Sequence, residues 1–585
     1  MGGGTDNAKP SGANAGTSYT ATGGSPAIVV PGAAAGLPAE QEQSLSFLAP
    51  QPGKRYVYVA NPTRDSVAVI DSVSLAIAEV TPGDMPTYVA TVPGEDVALV
   101  VNAGSSTLSV LRTTATGTTV SSPLPTIKGA NAIAIAPDGA HAVVWFDVAQ
   151  PNAKILSGSF QNVSLVTLSA AGDKAFTVTV GFKPCAVVFS DDGKAAFVVT
   201  SDGISELRFA TLQTSAIAPL VRIESSAASA SGPDAGAASP DAAEGVPDAG
   251  AASGDGGSGS EAGAGGSDAV PPISDVARAP ADSAPAIAGT GLPLDVSVSR
   301  DGRWAIARRD GTNEVLLVDL VGNTVRSRFL SSPVTDLDMS DTTNTTGGSV
   351  RAFAVLRNES KLAILAVPDD FAENSPLDVR SLAGETVGLV SISAHGKYAV
   401  LYTTAAPIER LVVLPLLPSG APRGVVLQKA IRAVAIAPDE KTAFVLHTKV
   451  AGNPSDPNLT VDEAIDRQYG YSAVSLEGGF ATLQTTNANP DPFTITPDSS
   501  SVFVLLRDDA ANLRMAEQMS LTTFQVKDFQ LGSPPNAIGA LTGINHKVFV
   551  NQVHSEGRIS FIDWDWDKGT VDSVTGFALN GRIRQ

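Results

Sequence analysis

The densest group of candidate metal ligands lies near the end of the chain. Four acids fall close together there, namely Asp563, Asp565, Asp567 and Asp572. Alternating carboxylates offer the hard oxygen ligands that Ca²⁺ prefers, although Gly569 falls one place late for the usual calcium loop and no Glu closes it. The same alternation is typical of a strand that ends at Asp563 and turns its other acids to water. Calcium is thus the only cofactor that the sequence suggests, and an ordinary strand end is the alternative.

Three arginines occupy equivalent positions when the apolar alternating segments of the chain are aligned, each at the end of its segment. They are Arg309, Arg357 and Arg507, and the same position in other segments holds Asn61, Asn102, Asp147, Ser201, Thr403 and Thr448. We expect these segment ends to open on one face, where guanidinium forks would form a cationic arc suited to the carboxylates or phosphates of an acidic peptide or anionic sugar. Alternatively, each arginine pairs with an acid beside it in sequence, and such exposed pairs contribute little energy. Those acids are Asp310, Glu359 and Asp508.

A long polar loop with aromatic residues runs from about Val450 to Tyr471. It contains Arg467, Tyr469 and Tyr471, and His447 precedes it. Tyr and Arg are enriched where partners are held, because they offer rigid area with polar tips. We therefore predict that these four residues contribute to a binding surface. The alternative is that the loop is a plug folded over the opening of the fold.

The elements that must position these residues recur with a period of about 40 to 45 residues. Each unit has an apolar strand, an Asp-Gly type turn, a second alternating strand, a polar break, a third strand ending in Asp, and a fourth strand. Clear copies begin at Ala132, Ala186 and Asp295. Such a period indicates propeller blades, and Asp-Gly between alternating runs predicts a hairpin. The units begin near residues 45, 87, 131, 184, 293, 333, 387, 431, 490 and 535.

These units predict an all-β fold, a large β-propeller of about ten four-stranded antiparallel blades. Propellers commonly have about four to eight blades, so two smaller propellers in tandem are the alternative. We expect a disordered N-terminal tether at 1–43, blades 1 to 4 at 44–223, a disordered Ala/Gly/Pro/Asp-rich insert at 224–289, and blades 5 to 10 at 290–585. The tether and the insert hold too little apolar area to offset the entropy of ordering them.

The composition excludes several classes of partner and site. The net charge is −20, and no cluster of Lys and Arg offers a surface for phosphates, so we expect no nucleic-acid partner. Cys185 is the only cysteine, which excludes an intramolecular disulfide and a Cys-based zinc site. No apolar run reaches the roughly 18 residues that span a bilayer, so membrane association would rest on a lipid anchor.

The segment YVYVAN at Tyr56–Asn61, followed by Val-Ile-Asp at 69–71, resembles the YVTN-type β-propeller repeat. The resemblance covers most of residues 44–581 and implies a periplasmic or cell-surface protein, because that family occurs in extracytoplasmic proteins of bacteria and archaea. The N-terminal tail is similar to that of bacterial outer-membrane lipoproteins, in which a lipidated Cys precedes a tether of small residues. We expect Met1 to stand in place of that Cys. The alternative is an ordinary terminus of a cytoplasmic protein.

The repeat itself predicts architecture only, because propellers host unrelated functions. The sequence contains no Walker loop, HExxH helix or paired-Cys metal motif. We therefore predict a non-enzymatic binding or scaffold module that captures a protein or glycan partner on one face. One alternative is an enzyme similar to lactonase-like or quinoprotein-like propellers, with a perturbed carboxylate or histidine in a central pocket. Another is a self-associating surface coat component.

Overall fold

Short alternating apolar segments form antiparallel strands along the chain, because period-2 alternation places one set of side chains on each face of a sheet. The computed structural model describes residue 40 and residues 50–150, 160–190, 192–210, 217–223, 294–341, 349–372, 375–382, 384–543 and 546–577. The strands within these ranges form ten sheets, each with its strands in chain order. We number these sheets as blades 1 to 10, and within each blade the first strand lies innermost.

The first five blades cover residues 51–329. Blade 1 contains β1 (Gln51–Pro52), β2 (Tyr56–Asn61), β3 (Ser66–Asp71) and β4 (Ile77–Val80). Blade 2 contains β5 (Pro86–Thr91), β6 (Val97–Asn102), β7 (Thr107–Thr114), β8 (Gly117–Val120) and the short β9 (Leu124–Pro125), which pairs with β7. Blade 3 contains β10 (Ala132–Ile135), β11 (His141–Trp145), β12 (Asn162–Thr167) and β13 (Lys174–Thr179). Blade 4 contains β14 (Ala186–Phe189), β15 (Ala195–Thr200), β16 (Gly203–Arg208) and β17 (Leu220–Arg222). Blade 5 contains β18 (Leu294–Val298), β19 (Trp304–Arg309), β20 (Glu314–Asp319) and β21 (Thr324–Phe329).

The last five blades cover residues 336–575. Blade 6 contains β22 (Asp336–Asp341), β23 (Val350–Leu356), β24 (Lys361–Val367) and β25 (Asp378–Ser381). Blade 7 contains β26 (Leu389–Ile392), β27 (Tyr398–Tyr402), β28 (Arg410–Pro415) and β29 (Arg423–Val426). Blade 8 contains β30 (Ile431–Ile436), β31 (Thr442–His447), β32 (Tyr469–Ser475) and β33 (Ala481–Thr486). Blade 9 contains β34 (Pro490–Ile495), β35 (Ser501–Asp508), β36 (Leu513–Ser520) and β37 (Val526–Gln530). Blade 10 contains β38 (Pro535–Ala540), β39 (Lys547–Gln552), β40 (Arg558–Asp563) and β41 (Val571–Thr575).

Hydrophobic clusters at the contacts between neighbouring blades hold the ring together. Ten such clusters occur among the described residues, and each combines side chains of two neighbouring blades. One joins blade 4 to blade 5 through Phe197 and Val296, and another joins blade 10 to blade 1 through Phe561 and Ile70. The prediction of a ten-bladed β-propeller is therefore confirmed. The alternative of two tandem propellers is wrong, because every blade packs on the next and the last packs on the first.

Carboxylates on the innermost strand of blade 6 bind the innermost strand of blade 7. The backbone N–H of Val390 donates to Asp336 Oδ2 at 2.6 Å, and that of Ile392 donates to Asp338 Oδ2 at 3.2 Å. Both aspartates are almost fully buried. An innermost strand is the edge of its sheet, so its outward N–H groups need partners, and these two side chains supply them.

The Asp that ends the third strand of a blade caps the turn that follows. Asp71 Oδ1 accepts from the N–H of Val73 at 2.9 Å, and Asp563 Oδ1 accepts from the N–H of Asp565 at 3.0 Å. Such Asx turns explain why Asp recurs at this point of the repeat.

One short α-helix, α1 (Val461–Asp466), lies in the long loop of blade 8 and begins with a capping box of Thr460 and Glu463. Three 3₁₀ turns, at Pro62–Arg64, Arg357–Glu359 and Asp369–Phe371, complete the described helical structure. Within the described ranges, no helix has the length and apolar character that a membrane crossing requires. The predicted insert at 224–289 and the predicted tether at 1–43 lie outside the described residues, except for Glu40.

Candidate functional site

Two kinds of loop meet at one end of the ring: the loops between second and third strands, and the connectors from one blade to the next. Arg357 directly follows β23 in blade 6, Thr403 directly follows β27 in blade 7, and Gly388 lies in the connector between these blades. All three adjoin the carboxylate of Glu40. We call this end of the ring the loop face. The carboxylate seat is the group Arg357, Gly388, Thr403, Thr404 and Ala405.

The carboxylate of Glu40 accepts five hydrogen bonds from the ring. Its Oε1 accepts from Arg357 Nη1 at 2.9 Å and from Thr403 Oγ1 at 2.7 Å. Its Oε2 accepts from the Thr404 N–H at 2.8 Å, the Thr404 hydroxyl at 3.0 Å and the Ala405 N–H at 3.1 Å. A carboxylate offers about four lone-pair directions, so these donors saturate it. The seat combines one guanidinium with the backbone N–H groups of two consecutive residues, an arrangement that favours an anion.

Burial and the lack of a side chain at residue 388 shape the seat. The side chains of Glu40 and Arg357 are only 5% and 14% exposed. A Cβ at residue 388 would lie 1.7 Å from Glu40 Oε1 and 2.7 Å from Glu40 Cγ. Glycine therefore leaves the space that the carboxylate occupies, and any larger residue would fill it.

The arginine predicted in blade 6 binds a carboxylate, but not the acid beside it in sequence. Arg357 pairs with Glu40, whereas Glu359 pairs with Lys361 at 2.7 Å. Glu40 belongs to the segment predicted to be a disordered tether, yet its carboxylate is bound by residues of the ring. The alternative prediction, that Arg357 pairs with the neighbouring Glu359, is wrong, because the carboxylate that Arg357 binds lies 317 residues away in sequence.

The other two arginines have partners of their own. Arg309 Nη2 donates to the carbonyl of Ile223 at 2.6 Å, and Asp310 binds Arg308 at 2.5 Å. Arg507 pairs with Asp509, and Asp508 Oδ1 accepts from the N–H groups of Ala510 and Ala511. Arg507 also lies three blades away from Arg357. The predicted cationic arc is thus not a single anion site, and the carboxylate seat forms around Arg357 alone.

Two residues predicted to contact a partner are buried, which corrects that prediction. Tyr471 is fully buried, packs on Phe444 with ring centroids 5.2 Å apart, and donates its hydroxyl to Glu517 Oε1. His447 is 2% exposed, and its ring nitrogens contact Ser472 Oγ at 2.7 Å and the carbonyl of Ala430 at 3.2 Å. Burial lowers the pKa of His447 to about 4, so the ring is neutral near pH 7.

The long loop of blade 8 is anchored to the ring by a buried lysine. Lys429 is 1% exposed, and its Nζ donates to the carbonyls of Ile465 and Asp466, at the end of α1. Arg467 Nη1 reaches the carbonyl of Asn453 at 3.5 Å, and Lys449 Nζ lies 4.3 Å from the centroid of the Tyr469 ring. Arg467 and Tyr469 thus support the loop, and their proposed contact with a partner stays a prediction.

The acids near the end of the chain face lysines. Asp565 lies 3.0 Å and Asp563 4.0 Å from Lys568 Nζ, while Asp572 lies 3.0 Å from Lys547 Nζ. The N–H of Asp567 donates to Asp565 Oδ1 at 3.3 Å. Among the residues that the structure describes, no three His, Cys, Asp or Glu side chains gather as metal ligands. The structure therefore does not bring the four predicted calcium ligands together.

A cavity of about 240 Å³ between blades 8 and 9 holds a perturbed carboxyl. Glu517 and Asp528, directly opposite each other on β36 and β37, line it together with Gln484 and Asn487. Desolvation raises the pKa of Glu517 to about 7, although the hydrogen bond from Tyr471 works in the opposite direction. The cavity lies between the outer strands of two blades and not in the centre of the ring.

The raised pKa of Glu517 should make stability depend on pH. Glu517 binds its proton more tightly in the folded chain than in the unfolded chain, where its pKa has the ordinary value of 4.5. The contribution of Glu517 to the free energy of unfolding is therefore complete below pH 4.5 and is lost as the pH rises through about 7. The loss is on the order of 3 kcal/mol. Urea unfolding of the native chain and of Glu517→Gln at pH 5 and pH 8 measures it. The native chain should lose this amount relative to the variant, and parallel pH dependences would contradict the assignment.

Comparison with known proteins finds distant structural likenesses and no match in sequence. No family model and no curated protein matches the sequence. Among solved structures, a eukaryotic initiation factor is 10% identical, covers 89% of this chain and 96% of its own, and gives a TM-score of 0.43. The dihydro-heme d1 dehydrogenase NirN in complex with DHE is 9% identical over 72% of each chain, with a TM-score of 0.34. Hydrazine synthase of Kuenenia stuttgartiensis is 13% identical over 46% of this chain and 75% of its own, with a TM-score of 0.29. These likenesses carry no argument about function.

Proposed function

We propose that this propeller is a non-enzymatic binding or scaffold module that captures a partner protein through a glutamate side chain at the carboxylate seat. The five hydrogen bonds on the Glu40 carboxylate carry this proposal. The donors all belong to the ring, on two adjacent blades, and each points at one carboxylate. A partner that presents the same group can make the same contacts.

The chemistry of the seat favours a peptide carboxylate over a phosphate. One guanidinium and two backbone N–H groups match the single charge and the two oxygens of a carboxylate. A phosphate carries about two charges and three acceptor oxygens, and it is usually bound by several cations. The occupant in the structure is itself a glutamate side chain, which favours a protein partner over a glycan.

Binding of a peptide in trans tests this function. The probe is a labelled peptide of residues 36–44, GLPAEQEQS, acetylated and amidated, and the protein is Glu40→Gln, which weakens the internal contact. We expect saturable binding, and a peptide with Gln at the position of Glu40 should bind about 10- to 100-fold more weakly, because charged hydrogen bonds contribute about 1.5–3 kcal/mol. Fluorescence anisotropy measures both peptides. Equal affinity of the two peptides, or no binding of either, would contradict the proposal.

We also propose that the module is displayed in the periplasm or on the cell surface as a YVTN-type lipoprotein. Support comes from the segments Tyr56–Asn61 and 69–71 and from the small-residue N-terminal tail. Mass spectrometry of the protein from its native source tests the anchor. A lipidated N-terminal Cys is the expected result, and an unlipidated product that retains Met1 would contradict it.

The cavity of Glu517 favours a propeller enzyme as the second candidate function. A carboxyl with a pKa of about 7 suits general acid–base catalysis at neutral pH, and Asp528 lies beside it in a cavity that could hold a small molecule. Turnover of a panel of lactones that Glu517→Gln abolishes would favour this candidate. Peptide capture without turnover favours the binding module.

A further inference from the structure

The occupant of the carboxylate seat belongs to the same chain, whose first described strand lies on the opposite side of the ring. Glu40 precedes Gln51, the first residue of β1 in blade 1, by 51 − 40 = 11 residues. The seat lies on blades 6 and 7, and blade 6 is opposite blade 1 in a closed ring of ten. Eleven extended residues reach at most ~40 Å. Glu40 is thus joined to the first described strand by a covalent connection no longer than this.

A short connection gives the internal carboxylate a large advantage over any external one. Linked ligands have effective concentrations of about millimolar, so Glu40 competes with every partner as if present at that level. The apparent affinity of a competitor equals its intrinsic affinity multiplied by the fraction of chains in which the seat is open. The five hydrogen bonds from the ring all go to the side-chain oxygens of Glu40, and an external glutamate can therefore accept the same five.

We infer that Glu40 is a cis ligand that keeps the carboxylate seat closed until a glutamate-bearing acidic segment of a partner protein displaces it. This inference rests on the proposed function. It makes Glu40 a regulator of capture: displacement of its carboxylate by a partner opens the seat. Gly388 leaves room for the carboxylate of Glu40 and for the carboxylate of a partner alike, because a Cβ at residue 388 would collide with a carboxylate in the seat.

The test compares the native chain with Glu40→Gln for binding of the same labelled peptide of residues 36–44. We expect the native chain to bind about tenfold or more weakly, because its seat is occupied. Glu42→Gln is the matched control, since it removes a neighbouring acid of the same segment, and it should bind the peptide as weakly as the native chain does. Thermal unfolding of the three proteins verifies that each ring is folded.

The outcomes separate the inference from the function on which it rests. Equal affinity of the native chain and Glu40→Gln overturns the cis ligand but leaves peptide capture standing. A gain in Glu42→Gln equal to that in Glu40→Gln also overturns it, because the effect would then follow the charge of the segment. If neither the native chain nor Glu40→Gln binds the peptide, the proposed function itself fails.

Discussion

Asp295→Ala is expected to lower the free energy of unfolding by about 3–5 kcal/mol, the largest single-residue effect on stability that we predict. Asp295 accepts from Arg308 Nε at 2.9 Å, and both side chains are only 4% exposed. Arg308 Nη1 binds Asp310, which is 52% exposed, and the carbonyl of Val334. Removal of Asp295 takes away the hydrogen-bonded member of the two buried carboxylates that act on this guanidinium at the contact between blades 5 and 6, the other being Asp336. Urea unfolding measures the loss.

The paired variant Asp295→Leu with Arg308→Met is the control for this prediction. Replacement of both members of a buried ion pair by apolar residues of similar volume is often neutral or stabilising, because both desolvation costs disappear. We expect the double variant to be close to the native chain in stability. A loss in Asp295→Ala below about 1 kcal/mol would contradict the prediction and show that Asp336, Asp310 or water compensates the charge of Arg308.

Arg357→Ala is expected to weaken peptide binding by about 30-fold or more. Truncation of one partner of a buried, hydrogen-bonded charge pair costs about 2–5 kcal/mol, and each 1.4 kcal/mol is about tenfold in affinity. The variant is made in the Glu40→Gln background, so that the internal ligand is weakened, and anisotropy with the peptide of residues 36–44 gives the dissociation constants. The fold should tolerate the change, because Arg357 lies in the 3₁₀ turn between two strands and not within a strand.

Arg507→Ala in the same background is the matched control. Arg507 occupies the equivalent region of blade 9 and pairs with Asp509, so it shares the loop face but not the seat. We expect no change in affinity beyond about twofold, the scale of a lost exposed ion pair. Equal losses in Arg357→Ala and Arg507→Ala would mean that the overall charge of the loop face, and not the seat, attracts the peptide.

The architecture could be predicted from the sequence because each blade is specified locally. Alternation of apolar residues, the Asp-Gly turns and the strand-ending Asp all lie within one repeat, and Asp71 and Asp563 show the turn capping that makes the last of these recur. The number of rings could not be predicted, because closure depends on packing between residues as distant as Ile70 and Phe561. The same apolar strand faces would also suit two smaller rings.

The site could be predicted only in part. Arg357 and Thr403 stand at equivalent positions of neighbouring repeats, and in the structure both donate to Glu40. Glu40 gave no signal, because it lies in a low-complexity segment and reaches the ring by a contact of very long sequence separation. Gly388 gave none either, since glycines are frequent in this sequence and its role depends on the ligand beside it.

The burial of Tyr471 and His447 could not be predicted from their neighbours in sequence. Both flank a polar loop, which suggested exposure, but β31 and β32 carry these side chains into the contacts within and between blades. Tyr471 donates to Glu517 of the next blade, a partner 46 residues away. Aromatic residues at strand ends thus report the packing of blades as readily as the binding of partners.

A crystal structure of Glu40→Gln with the peptide of residues 36–44 tests the carboxylate seat most directly. We predict electron density for the peptide glutamate between Arg357 and the N–H groups of Thr404 and Ala405, with contacts like those that Glu40 makes in the native chain. A peptide bound elsewhere on the ring, or a seat that stays empty at saturating peptide, would contradict the account.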